Sequence, residues 1–153
     1  MTAVADRLAE LGLELPPVAK PVAAYVPAVV TGNLVFTAGQ LPFVSGTLAA
    51  TGKFGAGVAA EDGAGLARIC VLNALAAAES VIGSLDRVTR VVKVVAFVAS
   101  TPDFTGQPGV ANGASELLGQ IFGDAGQHAR SAVGVPVLPL DAPVEVELIL
   151  EFA

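Results

Sequence analysis

The chain of 153 residues is short of the residue types from which many sites are built. It has one cysteine, one histidine, one tyrosine and no tryptophan. The lone Cys70 excludes an intrachain disulfide and any cysteine-rich metal cluster. With His128 as the single histidine, a metal site would fall to carboxylates, and no spacing of Asp and Glu suits one. No metal or other cofactor is therefore expected. Gly-rich stretches such as Gly55-Ala56-Gly57 lack the spacing and the lysine of a phosphate loop. Gly-x-Ser-x-Gly is absent as well.

Charge is scarce. Charged residues make up 14% of the chain, against roughly 25% in average domains, while hydrophobic residues reach 54%. A single copy with so little polar surface leaves apolar patches exposed, and such patches mark contact sites. A homo-oligomer is expected. The net charge of −6 comes with eight scattered basic residues, and after Lys93 only Arg130 remains against seven acids. That distribution argues against a nucleic-acid partner, which needs a basic stripe facing phosphate.

A membrane-spanning helix needs about 20 predominantly apolar residues. Val22–Phe36 is broken by Pro27 and Thr31-Gly32-Asn33, and Arg68 and Glu79 bracket Ile69–Ala78. The first residues lack the basic-then-apolar order of a signal peptide. No membrane partner and a cytoplasmic location are expected, with residues 1–153 forming a single domain.

Periodicity predicts the elements. Residues 2–12 read as a short amphipathic helix capped by Thr2, with Val4, Leu8 and Leu11 on one face and Gly12 at its end. Leu15 to Pro21 is an extended connector, completing an N-terminal helix and connector over residues 1–20. Val22–Val30, Leu34–Phe43 and Thr47–Phe54 read as three strands separated by hairpin turns. A long helix follows over 59–82, with Leu66, Ile69, Leu72 or Asn73, Ala76 and Ser80 near one stripe and Gly83 as terminator. The nearly unbroken apolar run Val88–Val98 suits a central strand covered on both faces. A second helix spans about Gly109 to Phe122. Ser131–Val137 and Pro143–Phe152 close the chain, joined by 138–142. In the last strand Val144, Val146, Leu148, Leu150 and Phe152 share one face, with Glu145, Glu147, Ile149 and Glu151 on the other. The result is an α+β fold, a sheet with its long helices packed on one side.

Chemistry concentrates near the end of the chain. Arg130 stands among Ala129, Ser131, Ala132 and Val133, at the mouth of an apolar strand, where an unpaired charge is costly. Its planar fork suits a carboxylate held by two hydrogen bonds. Two partners fit: Glu145 or Glu147 on the adjacent strand, as a structural salt bridge, or the carboxylate of a small ligand. The acids of the last strand read either as a solvated face or as the source of one group that orients water beside such a ligand. His128 reads as a surface histidine with no evident serine partner, so no nucleophile–base–acid triad assembles. Cys70 reads as a buried small hydrophobe.

Four stretches in one order resemble the Rid (reactive intermediate deaminase, YjgF-like) family. Gly32 to Pro42 resembles its G-x-x-[hydrophobic]-x-S/T-x-G-Q-[IL]-P. Ala67-Arg68 with Asn73 resembles the A-R-x4-N of its long helix. Val92-Lys93 with Phe97-Val98 resembles its V-K-x3-F-V strand. Ala129-Arg130-Ser131, Leu138-Pro139 and Val144-Glu145-Val146-Glu147 resemble its A-R-S…L-P…V-E-[IV]-E ending.

The resemblance implies a chorismate-mutase-like mixed sheet, with two long helices on one face plus the extra N-terminal helix. It also implies a homotrimer with clefts between subunits, and hydrolysis of 2-imino or 2-enamino acids to 2-keto acids and ammonia. Arg130 would then hold the substrate carboxylate and Glu145 would orient water. Tyr25, Asn112 and the backbone around Gly39 would line the cleft, the Asn112 match requiring a one-residue gap. Ala38 stands where the family's deaminases usually have serine, Ala132 where cysteine is common, and His128 where a small residue or proline is usual. A cleft bare at Ala38 and Ala132 also suits a non-catalytic trimer that binds 2-keto acids or similar carboxylates. The endoribonuclease or translation-inhibitor activity ascribed to some relatives fits the acidic charge least.

Overall fold

The computed structural model describes residues 3–21 and 23–153. Its centre is a five-stranded sheet. In chain order the elements are α1 (Val4–Glu10), β1 (Ala28–Thr31), β2 (Leu34–Thr37), β3 (Phe43–Val44), β4 (Thr47–Leu48), β5 (Lys53–Phe54), β6 (Gly57–Val58), α2 (Gly63–Ile82), β7 (Val88–Ala99), α3 (Gln107–Phe122), β8 (Ala129–Val135) and β9 (Val144–Phe152). The sheet runs β1-β2-β9-β7-β8. All its pairings are antiparallel except β7 with β8. A parallel pair needs a long crossover, and α3 supplies it, so α3 lies over β7 and β8.

The alternation of β9 decides the core. Val144, Val146, Leu148 and Leu150 are buried with Val91, Val94, Ala96 and Val98 of β7 against the two long helices. Both helices lie on this one face, as the α+β pattern predicts. The buried face of α2 includes Leu66, Asn73 and Ala76 of the predicted stripe, but its centre lies elsewhere. It runs through Ala67, Cys70, Val71, Ala74, Leu75 and Ala78, while Ile69 and Leu72 are half-buried and Ser80 is exposed. Small side chains form it because α2 packs closely on both α3 and the sheet. The stretch Ala60–Ile82 is long and apolar enough to cross a membrane, but 61% of its most apolar window is buried inside the fold, the position of a core helix.

The strands before α2 are shorter than predicted. Val22, the predicted start of the first, and Thr2, the predicted helix cap, lie outside the described residues. Residues 23–27 are not strand, and the hairpin begins at Ala28, just after Pro27. The second strand leaves the sheet after Thr37, rejoining it only through the Gln40–Val146 bridge. Thr47–Phe54 is not one continuous strand and is not part of the five-stranded sheet. Thr47-Leu48 pairs back on Phe43-Val44, and Lys53-Phe54 pairs with Gly57-Val58. Helix α3 begins two residues early, with Pro108 in its first turn, where a missing N–H costs nothing. Strand β8 spans Ala129–Val135, shifted two residues toward the N-terminus, and Pro136 ends it.

Helix α1 packs onto its own chain. Leu8 is buried, Val4 N–H donates to Asp86 Oδ1 at 2.7 Å, and Arg7 Nε donates to the Gln120 carbonyl at 2.6 Å. Among the described residues no helix lies on the far face of the sheet. Val29 (51% exposed) and Val133 (42%) lie on it with Phe36, Val95, Phe97 and Ile149. Strand β7 is therefore central but covered on one face only.

Candidate functional site

Register decides where Arg130 points. It pairs with Val94, whose side chain faces the helices, so Arg130 lies on the helix side of the edge strand β8. There its Nη1 donates to Asn112 Oδ1 at 2.8 Å and to Ser115 Oγ at 3.2 Å, both on α3. Asn112 and Ser115 are three residues apart, on one helix face. No carboxylate pairs with Arg130 among the described residues, where the one ion pair is Arg7–Glu10. Its partners are neutral hydroxyl and amide groups.

Glu145 cannot be its salt-bridge partner. Glu145 pairs with Phe97, and Phe97 in turn with Val133, so all three project from the open face of the sheet. The strand beside β8 is β7, not β9. Of the two readings of Arg130, the structural salt bridge to Glu145 is therefore excluded within one chain. Glu147 alternates with Val146 on the same open face and is excluded likewise.

Glu145 has its own surroundings. A Cβ placed on Gly39 would overlap its carboxylate, so the glycine is what admits it. Partial burial, with the Glu147 charge adding, pushes the Glu145 carboxyl above its ordinary range. The row of acids is half-buried rather than a solvated face. Gly39 in turn shares a shallow groove with Tyr25, Pro27 and Phe43. Tyr25 is 45% exposed, and Ala38 N–H donates to the Pro27 carbonyl at 2.7 Å.

The predicted site residues thus form two groups. Arg130, Asn112 and Ala132 lie at the α3–β8 edge, Ala132 being on the Arg130 side of the strand. Tyr25, Ala38, Gly39 and Glu145 lie around the end of β2 and the start of β9. Each group is partly exposed.

Two side chains beside the first group, His128 and Ser115, were not among the predicted site residues. His128 is half-buried rather than a free surface residue, with Nε2 2.8 Å from Ser115 Oγ and Nδ1 2.6 Å from the Gly126 carbonyl oxygen. Ser115 is the serine partner that the sequence conceals. Its one signal is the helical spacing from Asn112, because contact with His128 depends on how α3 sits on β8. Both line a concavity of about 390 Å³ with Arg130, Gly119, Gly126 and Gln127. Cys70 is fully buried, with Sγ 3.8 Å from the Val144 carbonyl, and burial raises its thiol well above the ordinary value. Among the described residues no group of three or more His, Cys, Asp or Glu could hold a metal ion.

Known proteins share the sequence pattern and the fold of this chain. The family model described as "YjgF/chorismate mutase-like, putative endoribonuclease" matches residues 5–152. Protein TCP17 of Trypanosoma cruzi is 45% identical over 97% of this chain and 93% of its own length. The structure of Atu1372, a protein of unknown function from Agrobacterium tumefaciens, superposes with a TM-score of 0.91 at 42% identity, covering 98% of this chain and 92% of that one. A Shewanella oneidensis structure whose name carries the same endoribonuclease term superposes with a TM-score of 0.95 at 33% identity, covering 99% of this chain and all of that one. The chain belongs to the YjgF/chorismate mutase-like family.

Proposed function

We propose that the protein hydrolyses 2-imino and 2-enamino acids to 2-keto acids and ammonia in clefts between the subunits of a homotrimer. The observation that carries this reading is the Arg130 guanidinium, half-buried and held by neutral partners, with no carboxylate beside it among the described residues. A charge kept in that state is stabilised by an anion that arrives from outside. The carboxylate of a small acid fits its fork.

The division of the site supports assembly. Arg130 and Glu145 face opposite sides of one sheet, so a second copy is required to bring a Glu145 to an Arg130. The open sheet face, with Val29, Phe36, Phe97 and Val133, supplies an apolar surface for the contact. In such a cleft Arg130 holds the carboxylate, and a neighbouring subunit's carboxylate orients water toward the imine carbon. An imine is already electrophilic, so positioning supplies most of what the reaction needs. Water adds to the carbon, a proton passes to nitrogen, and the carbinolamine loses ammonia to leave the ketone. No resident metal or cofactor enters this scheme.

A second reading rests on Ala38 and Ala132, which bring no polar side chain to the cleft: a trimer that binds 2-keto acids without turning them over. Ribonuclease action is disfavoured by the net charge of −6. The deciding experiment generates 2-iminopropanoate in situ with an amino-acid oxidase and follows its loss by semicarbazide trapping. Wild type accelerates the loss and Arg130→Ala does not. If wild type matches buffer across several imino acids yet binds pyruvate, the binding reading replaces the enzyme.

A further inference from the structure

The concavity beside Arg130 holds groups that imine hydrolysis leaves unused. Ser115 projects from α3, its hydroxyl 2.8 Å from His128 Nε2. The other ring nitrogen is 2.6 Å from the Gly126 carbonyl oxygen. A carbonyl accepts and cannot donate, so in the neutral ring Nδ1 carries the proton and Nε2 presents a lone pair. The Ser115 hydroxyl is therefore the donor to Nε2. This is the polarity of a nucleophile hydrogen-bonded to its general base, with a main-chain oxygen orienting the ring.

Arg130 completes the arrangement. Its Nη1 donates to Ser115 Oγ at 3.2 Å, where a positive charge favours the negative charge that gathers on that oxygen as its proton passes to His128. Nη1 is committed to Asn112 and Ser115, whereas Nε and Nη2 have no hydrogen-bond partner among the described residues. That free edge is available to a carboxylate. Gly119 lines the same concavity, and a Cβ on it would meet nothing within 4 Å, so space is open near the hydroxyl.

We propose that Ser115 and His128 are a nucleophile–base pair that hydrolyses short carboxylate-bearing esters, with Arg130 holding the carboxylate beside the scissile carbonyl. Ser115 Oγ bonds to the carbonyl carbon while its proton passes to His128 Nε2. The tetrahedral intermediate collapses, the acyl carbon–oxygen bond breaks, and Nε2 returns the proton to the leaving alkoxide. Water then adds to the acyl-serine, giving its proton to the same nitrogen. The second collapse releases the acid and restores the Ser115 hydroxyl. One ester and one water yield one alcohol and one carboxylic acid.

This activity shares only Arg130 with the imine reaction. It does not use Glu145, so the two readings can fail separately. The test uses the full chain with O-acetylglycolate, following acetate release by proton NMR, and ethyl acetate as the neutral counterpart. Wild type is expected to exceed buffer by about a hundredfold, the lower end of what a positioned base contributes, and to favour the charged ester. A small fluorophosphonate is expected to label Ser115, located by peptide mass spectrometry. Ser115→Ala and His128→Gln fall to the buffer rate. Should a variant fail to fold, labelling of the wild type still decides. A wild type that hydrolyses imines but neither cleaves O-acetylglycolate nor takes the label at Ser115 overturns the pair and leaves the deaminase reading intact. Ester cleavage with Ser115 labelled but no imine turnover upholds the pair and overturns the deaminase.

Discussion

The Arg130 guanidinium reaches across from β8 to the Asn112 side-chain oxygen on α3, 2.8 Å away, and finds an amide rather than a carboxylate. That choice of partner keeps the positive charge available. Asn112→Asp tests it, because the near-isosteric acid would pair with Arg130 inside the chain. Such a pair competes with any ligand carboxylate. Pyruvate affinity, measured by calorimetry, is expected to fall about tenfold, which corresponds to roughly 1.4 kcal/mol. The unfolding midpoint should hold steady or rise, since the new ion pair is satisfied.

Gly39 and Glu145 make a second test, aimed at the other half of the site. Gly39→Ala sets a methyl group where the Glu145 carboxylate lies. The carboxylate must swing away while Arg130, on the opposite sheet face, is untouched. In imine hydrolysis kcat should drop by about a hundredfold, the scale of a misplaced reacting group, with KM nearly unchanged. A rise in KM at constant kcat would show that Glu145 serves binding instead. The wild-type acid limb carries a sign as well. Glu145 sits above the ordinary glutamate range, so its carboxylate is lost earlier as pH falls. Activity should decline at a pH higher than a solvent-exposed glutamate would give.

The core side of β9 was legible because strict alternation leaves one choice of which face to bury. Helix α2 and strand β7 were legible from long apolar runs. The short strands were not. Pro27 and the departure of the chain after Thr37 trim segments whose β-branched residues read as continuous strand. The separation of Arg130 from Glu145 was hidden for a different reason. It follows from sheet order, with β7 inserted between β8 and β9, and from the registers that turn Arg130 to the helices and Glu145 to the open face; no local pattern records either. Ser115 and His128 were missed similarly, since they meet only after α3 folds over β8.

Val133 offers a test of assembly that spares the fold. It is 42% exposed on the open sheet face, so an acid there is solvated in a single chain. In a trimer packed through that face the same acid would be buried without a partner, at a cost of several kcal/mol. Light scattering should show a trimer for wild type and a monomer for Val133→Glu, with circular dichroism unchanged. Imine turnover should vanish with the trimer, because each cleft needs two chains. A wild-type monomer would sink the proposed division of the site.

Gly113 tests the joint between the two long helices. Alanine is favoured over glycine inside a helix by roughly 1 kcal/mol, so Gly113→Ala should stabilise α3 taken alone. In the folded chain, however, the added Cβ would run into the backbone of Ala64 at the start of α2. Backbone cannot yield as a flexible side chain can. Overpacking of this kind costs about 1–3 kcal/mol, and the clash is with main chain, so the larger effect wins. Chemical denaturation should show a net loss of stability. A gain would mean that α2 and α3 can separate without penalty.

Cys70 gives a prediction that depends on no assumption about activity. The thiol is fully buried on α2, and desolvation, with the Glu145 charge adding, lifts its pKa well above the usual value. A thiol titrating above its unfolded value binds its proton more tightly in the folded chain, so thiolate is scarcer there at every pH below that raised value. Only thiolate attacks a disulfide reagent. Native protein should therefore leave Ellman's reagent unreacted across neutral and mildly alkaline pH, where an exposed cysteine reacts readily. Denaturant should release one equivalent, matching the single cysteine. The rate of release should follow global unfolding, because Cys70 lies in the central core between α2 and the sheet. Fast labelling of the folded protein would mean that α2 lifts from the sheet, and the close packing of its small residues would then need another explanation.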